Sequence, residues 1–253
     1  MGKIVTVASQ KGGTGKSTSV FHLGYALHKL GKKVAIIDTD ARQATLMSYY
    51  SSRRINANRE ELTGKGFDLD FYPEVAVVKH DQPYRKTLSA IRNSFDIALL
   101  DTKGEFERFQ LDLVRESDYV IVPIGASGTD LQHSDIVIEA ITDENVNRED
   151  DEKLGYSYLI QKAKVATNSF KHFYRKVEDE HHVLSYIPHS EVIAAVTPFG
   201  FTSFDAIQNM SVMKKFIEED WEDTSPSFNK ADIQQTNDLI MKAAESLLEK
   251  IYD

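Results

Sequence analysis

Between Ser9 and Ser19 the chain reads SQKGGTGKSTS, with Lys11 and Lys16 five positions apart around Gly12, Gly13 and Gly15. Glycines let successive backbone N–H groups converge on an anion, and a following helix adds the positive end of its dipole. The usual phosphate-binding loop is G-x-x-x-x-G-K-[ST]. Gly15-Lys16-Ser17 preserves its second half, Gln10 stands where the first glycine belongs, and Lys11 is an added cation. The expected chemistry is nucleotide binding. Lys16 reaches the β- and γ-phosphates, Ser17 holds Mg²⁺, Thr18 lies near the α-phosphate, and Gly12, Gly13, Thr14 and Gly15 form the cradle.

Three carboxylates fall where such a loop can use them. Asp101 closes the apolar run IALLD, and Asp38 and Asp40 close IIDTD. A lone strand-end aspartate is more often a turn former or helix cap. Three of them beside a phosphate loop point to metal holding and water positioning, with Asp101 in the form of a strand-end carboxylate that holds Mg²⁺.

These side chains need a scaffold that brings strand ends together. KIVTVA (3–8) is a β-branched apolar run, and KSTSVFHLGYALHKLG follows with Val20, Leu23, Ala26, Leu27 and Leu30 at helical spacing. Further strand-like runs are KKVAIID (32–38), FDIALLD (95–101), DYVIVPI (118–124), GYSYLI (155–160) and HVLSYIP (182–188). FERFQLDLVRE (106–116) and TDLQHSDIVIEAIT (129–142) are helical patterns among them. The alternation predicts one α/β domain over residues 1–253, a mainly parallel twisted sheet with helices on both faces, with ligands at the carboxyl ends of its strands. Residues 51–82 suggest a short helix and an edge strand, 218–229 a surface loop, and about 229–252 a last helix.

Composition narrows the function. A chain of 253 residues builds a core of ordinary size. It has no cysteine, which excludes thiolate metal sites and cysteine-ligated iron–sulfur clusters. No run is long and apolar enough to span a bilayer, so a cytoplasmic location is expected. The net charge of −9 argues against a general polyanion-binding surface, yet Lys153 to Val177 contains no acidic residue.

With these motifs the chain resembles the ParA/MinD family of deviant-Walker ATPases, and within it the ParA-type partition ATPases. KGGTGKST (11–18) is similar to the family's signature loop, DTDARQATL (38–46) to its second motif, and LLDTKG (99–104) to its Walker B segment. The resemblance implies that Lys11 crosses a dimer interface to the partner's ATP, that Asp40 orients the attacking water with Asp38 near the metal, and that Asp101 is the Walker B carboxylate. It implies that Gln161, where relatives carry asparagine, and Pro188 flank the adenine. It also implies an ATP-dependent homodimer, non-specific DNA binding near the nucleoid, and a ParB-like centromere-binding adaptor protein. Ala41-Arg42 and Lys103 depart from the family's prolines. Candidate DNA contacts are Lys171, Arg175 and Lys176 on a predicted helix in 166–179, with Lys214 and Lys215. For so small a cluster a solvated helix face is the plainer reading.

Rivals share the loop and differ in partner. The nitrogenase iron protein needs cysteine ligands. A tyrosine kinase of the superfamily wants a tyrosine-rich tail, and only Tyr252 stands near this end. A MinD-like membrane positioner needs a basic amphipathic C-terminal helix; 230–252 mixes acids with lysines, so its apolar stripe is expected to pack in the core. A positioner of protein cargo or a conjugation factor stays open.

Overall fold

The computed structural model describes residues 1–40, 44–69, 71–104, 107–220 and 226–252. In chain order the elements are β1 (Lys3–Val7), α1 (Lys16–Lys29), β2 (Val34–Asp38), α2 (Thr45–Asn56), β3 (Glu74–Val77), α3 (Tyr84–Ser94) and β4 (Ile97–Asp101). They continue with α4 (Arg108–Arg115), β5 (Tyr119–Gly125), α5 (Gly128–Asn145), β6 (Gly155–Ala163), α6 (Asn168–Glu180), β7 (Val183–Pro188), α7 (Glu191–Val196), α8 (Ser203–Gln208), α9 (Met210–Asp220) and α10 (Lys230–Tyr252).

The seven strands form one sheet in the order β3-β2-β4-β1-β5-β6-β7, and every pairing among the described residues is parallel. Burial on both faces explains the near-continuous apolar runs, because alternate residues serve opposite layers. Val5, Val7, Ile36 and Leu99 pack with α1 and α10 on one face. Ile4, Ala35, Ile37, Ala98 and Leu100 pack with Leu88 of α3 and Leu113 of α4 on the other. Val120, Val122, Tyr158 and Ile160 extend that second layer toward α5 and α6. A further core of Val192, Phe201, Met213, Phe216 and Ile233 joins α7–α10 beside the sheet.

Helix α1 is buried on nearly all sides, from Ser19 through Leu27. It lies between the sheet and α10, whose Ile240, Ala243, Ala244, Leu247 and Ile251 share its core. The expected packing role of the last helix holds. No helix among the described residues is long and apolar enough to cross a membrane. The expected edge strand is β3, short and half exposed. Helix α9 runs on to Asp220, three residues into the expected surface loop; 221–225 lie outside the described residues, as do 41–43.

The topology creates the site. The chain leaves β1 toward β2 on one side, and leaves β4 toward β5 on the other. A crevice therefore opens at the carboxyl ends of β1 and β4, where the glycine loop and the terminal aspartates emerge.

Candidate nucleotide site

The loop from Ala8 to Gly15 turns directly into α1. Gly15 is the N-cap residue at φ 87°, a left-handed conformation that costs glycine little, and it sets α1's first N–H groups facing the cleft. Gly104 meets the loop from the other side. A Cβ there would lie 2.7 Å from the Cα of Gly12, so only glycine permits this approach of two backbones. Between them lies a cleft of about 310 Å³, lined by Gly12, Gly13, Gly15, Lys16, Ser17 and Thr18 on the loop side, and elsewhere by Asp40, Tyr49, Asp101 and Lys162.

Lys16 is 7% exposed, and its ammonium donates to Ser9 Oγ (3.0 Å) and to the Lys11 carbonyl (3.2 Å). Burial pulls its pKa below the ordinary lysine value, while Asp101 and Asp40 pull it up. Opposite sits Asp101, 2% exposed. Burial pushes its carboxyl up to about 7, against a hydrogen bond from Ser17 and the charge of Lys16, and with repulsion from Asp38 and Asp40. Its Oδ1 is buried and has no hydrogen-bond partner. A buried carboxylate oxygen without a donor, beside a serine hydroxyl, is the donor set a hard cation wants. Among the described residues no three His, Asp or Glu side chains converge into a metal cage. A cation here would share its ligands with a phosphate chain, the usual manner of Mg²⁺. The residues fit Mg²⁺-nucleotide.

Asp38 and Asp101 are register partners on adjacent strands. Unlike Oδ1 of Asp101, both oxygens of Asp38 have donors. Its Oδ1 accepts from the N–H of Asp40 (2.9 Å) and its Oδ2 from the N–H of Met47 (3.3 Å), so it ties the strand end to the start of α2. Burial raises its pKa, those two N–H groups lower it, and the charge of Asp40 raises it again. Asp40 lines the cleft itself.

Lys11 and Thr14 lie outside the lining of this cleft. Thr14 Oγ1 is 2.8 Å from Ser9 Oγ, within the loop. Lys11, whose side chain is 57% exposed, donates to Asp130 Oδ1 at 3.1 Å. Asp130 stands in the first turn of α5, bonded also by the Ser127 hydroxyl (2.7 Å). Burial raises its pKa, but Ser127 and Lys11 outweigh that and hold the carboxyl below the ordinary range.

The expected adenine side differs from expectation in detail. Gln161 is 6% exposed; its Nε2 donates to Ser19 Oγ (2.8 Å), and its Oε1 is 3.1 Å from where a Cβ on Gly15 would stand. The amide packs beneath the start of α1. Pro188 ends β7 as the register partner of Ala163, and does not line the cleft. Lys162, Tyr49 and Gly104 do line it, and sequence reasoning did not assign them to the site. Lys162 was visible only as one of several lysines in the acid-free stretch.

Lys171, Arg175 and Lys176 are exposed on α6, which turns Phe170 and Val177 inward. Lys214 lies over the Phe228 ring at 5.1 Å, and Lys215 pairs with Glu219 at 3.7 Å near Glu60 and Glu61. The two basic sets sit on helices of different cores.

A family model described as ATPase MipZ matches residues 3–169. MinD, a septum site-determining protein of Thermotoga maritima, is 32% identical over 127 residues, covering 48% of this chain and 44% of that protein. Soj of Bacillus subtilis, a sporulation initiation inhibitor, is 20% identical over 151 residues, covering 49% and 58%. The chain spans about half the length of the curated relatives it matches. Among solved structures, a protein from Borrelia burgdorferi B31 described as a plasmid partition protein, bound to AMPPNP, superposes with a TM-score of 0.62 at 20% identity, over 99% of this chain and 100% of that one. MinD of Pyrococcus furiosus gives 0.64 at 17% identity, over 99% and 100%. These likenesses agree with the sheet and its flanking helices.

Proposed function

The chain belongs to the family of the ATPase MipZ, within the ParA/MinD class of deviant-Walker ATPases, and from that premise we propose that it is a partition-type ATP switch. It binds ATP-Mg²⁺, dimerises around the nucleotide, binds DNA non-specifically as a dimer, and hydrolyses ATP slowly under stimulation by a ParB-like adaptor. Its cargo is plasmid or chromosomal DNA at the nucleoid. The observation that carries this reading is the convergence of Lys16, Ser17, Asp40 and Asp101 on a glycine-lined cleft.

When bound, Mg²⁺ would supply charge neutralisation to the phosphate chain. The protein's own groups do the rest. The loop N–H groups and Lys16 would hold the phosphates, Ser17 and Asp101 would hold the cation, and Asp40 would orient the attacking water. Asp38 keeps Asp40 in place through the hydrogen bond to its N–H. Lys11 points out of its own cleft, as a residue serving a second subunit must. The exposed Lys171, Arg175 and Lys176 give each subunit a few phosphate contacts, and a dimer doubles them. A membrane-positioning role is less well supported, because the apolar stripe of α10 is already packed against α1 and the sheet.

One experiment tests the reading. Sedimentation with ATP-Mg²⁺ and duplex DNA should show a salt-sensitive, DNA-bound dimer for the wild type. Lys11→Ala should bind ATP and stay monomeric, and Lys16→Ala should bind no ATP. An ATP-dependent dimer of Lys11→Ala would sink the cross-subunit role, and a dimer that ignores DNA but binds anionic vesicles would favour the membrane alternative.

A further inference from the structure

Lys162 breaks the regularity of β6. Between Ile160 and Ala163 the register against β7 slips: Ile160 pairs Tyr186 and Ala163 pairs Pro188, so β6 carries one residue more than its partner. Lys162 sits in that bulge at φ 53°. Among the described residues the only other non-glycine with positive φ is Ala44, just before α2. A lysine gains nothing locally from this conformation, since it lacks the short polar side chain that helps asparagine or aspartate there. Bulges recur where a strand must re-aim a side chain. Here the bulge aims the lysine at the loop. Its Nζ donates to the Gly13 carbonyl at 3.3 Å, and its side chain lines the same cleft as Gly12, Gly13 and Lys16. Gln161 beside it is buried under α1, while Lys162 is exposed and, among the described residues, forms no ion pair.

We propose that Lys162 is a further phosphate ligand of the nucleotide in its own subunit, placed over the glycine loop by the β6 bulge. The inference rests on the nucleotide reading above. When a phosphate chain fills the cradle, the ammonium exchanges a neutral carbonyl for an anionic oxygen, a stronger partner. Lys16 holds the chain from the helix side and Lys162 from the β6 side. Loss of one charge-assisted contact in a partly exposed site corresponds to about a tenfold change in affinity.

The test is calorimetric titration of ATP-Mg²⁺ and ADP-Mg²⁺ into the full chain, with thermal melts of each unliganded protein. Lys162→Met should weaken both nucleotides about tenfold at an unchanged melting temperature, and Lys162→Arg should bind within about twofold of the wild type. Lys162→Gly, which relieves the backbone, should melt no lower than the wild type and still lose affinity. Wild-type affinity in Lys162→Met overturns the assignment. So does a loss of affinity that tracks a lower melting temperature and is not restored by arginine, since that would mark a brace for the loop. If the wild type binds neither nucleotide, the proposed function falls and this inference with it.

Discussion

Two buried sets of charges in this molecule face opposite circumstances. Arg53 and Asp205, both fully buried, form a bidentate pair at 2.7 and 3.2 Å. The guanidinium also donates to the carbonyls of Phe71 (2.9 Å) and Gly200 (3.1 Å), and Asp205 accepts from the N–H and the hydroxyl of Thr202. The pair joins α2 to α8, and every guanidinium nitrogen and both carboxylate oxygens have a partner. Around Asp101 the accounting does not close: one carboxylate oxygen has no donor, and Lys16, whose charge acts on it, is turned to Ser9 and a carbonyl. A closed network specifies structure; an open one at a strand end is poised for a ligand.

The largest effect should come from breaking the closed network. Asp205→Ala leaves a buried guanidinium unpaired and should cost about 3–5 kcal/mol of folding stability, read as a lowered denaturant midpoint with ATP absent. A loss under about 1 kcal/mol would show that this pair is less closed than its geometry implies.

Next is His22, fully buried against Thr197 near the closed network. Burial lowers its pKa from 6.5 to about 3. The unfolded chain therefore takes up a proton between those values that the folded protein refuses. The stability this represents is complete above pH 6.5 and is lost as the pH falls. The difference between wild type and His22→Gln should change by about 3 kcal/mol from pH 7 to pH 4. Parallel stability curves for the two proteins would refute it.

The open network should respond in the other direction. The folded protein keeps a proton on Asp101 up to about pH 7, whereas the unfolded carboxyl ionises near 3.8. Its ionisation therefore disfavours folding increasingly as the pH rises between those values. Asp101→Asn should stabilise the unliganded protein at pH 8 by about 1–3 kcal/mol, and should abolish the extra thermal stabilisation that Mg²⁺ adds to ATP. Destabilisation by Asp101→Asn would place Asp101 with Arg53 and Asp205 as a structural group.

The smallest effect belongs to the partly exposed Lys11–Asp130 pair. Asp130→Asn should change stability by less than about 1 kcal/mol, yet raise the dimer fraction in sedimentation with ATP by releasing Lys11. An unchanged dimer fraction would mean the pair does not restrain the lysine.

The sequence made the open network legible and left the closed one hidden. Lys16 and Ser17 sit in a contiguous motif, and Asp38 and Asp101 end apolar runs whose parallel pairing could be inferred from their alternation with helices. Arg53 and Asp205 are 152 positions apart in segments with no periodic signal, and only the packing of α2 against α8 joins them. Lys162 was obscure for another reason: its direction depends on one extra residue in β6, and alternation along a strand cannot reveal a bulge. Gln161 was legible as a site-adjacent residue, but its hydrogen bond to Ser19 depends on how β6 meets α1.

The sharing of one core by α1 and α10 bears on the order in which the protein can assemble. Val20, Leu23 and Leu27 find their cover in Ile240, Ala243 and Leu247, more than two hundred residues later. On the ribosome that separation takes at least about 10 s to synthesise, at roughly 5–20 residues per second. The face of α1 that α10 covers, next to the glycine loop, stays open until α10 emerges. Contacts of such long range form late and slowly. A nascent chain would therefore carry its phosphate motif long before it has a rigid cradle to hold a nucleotide.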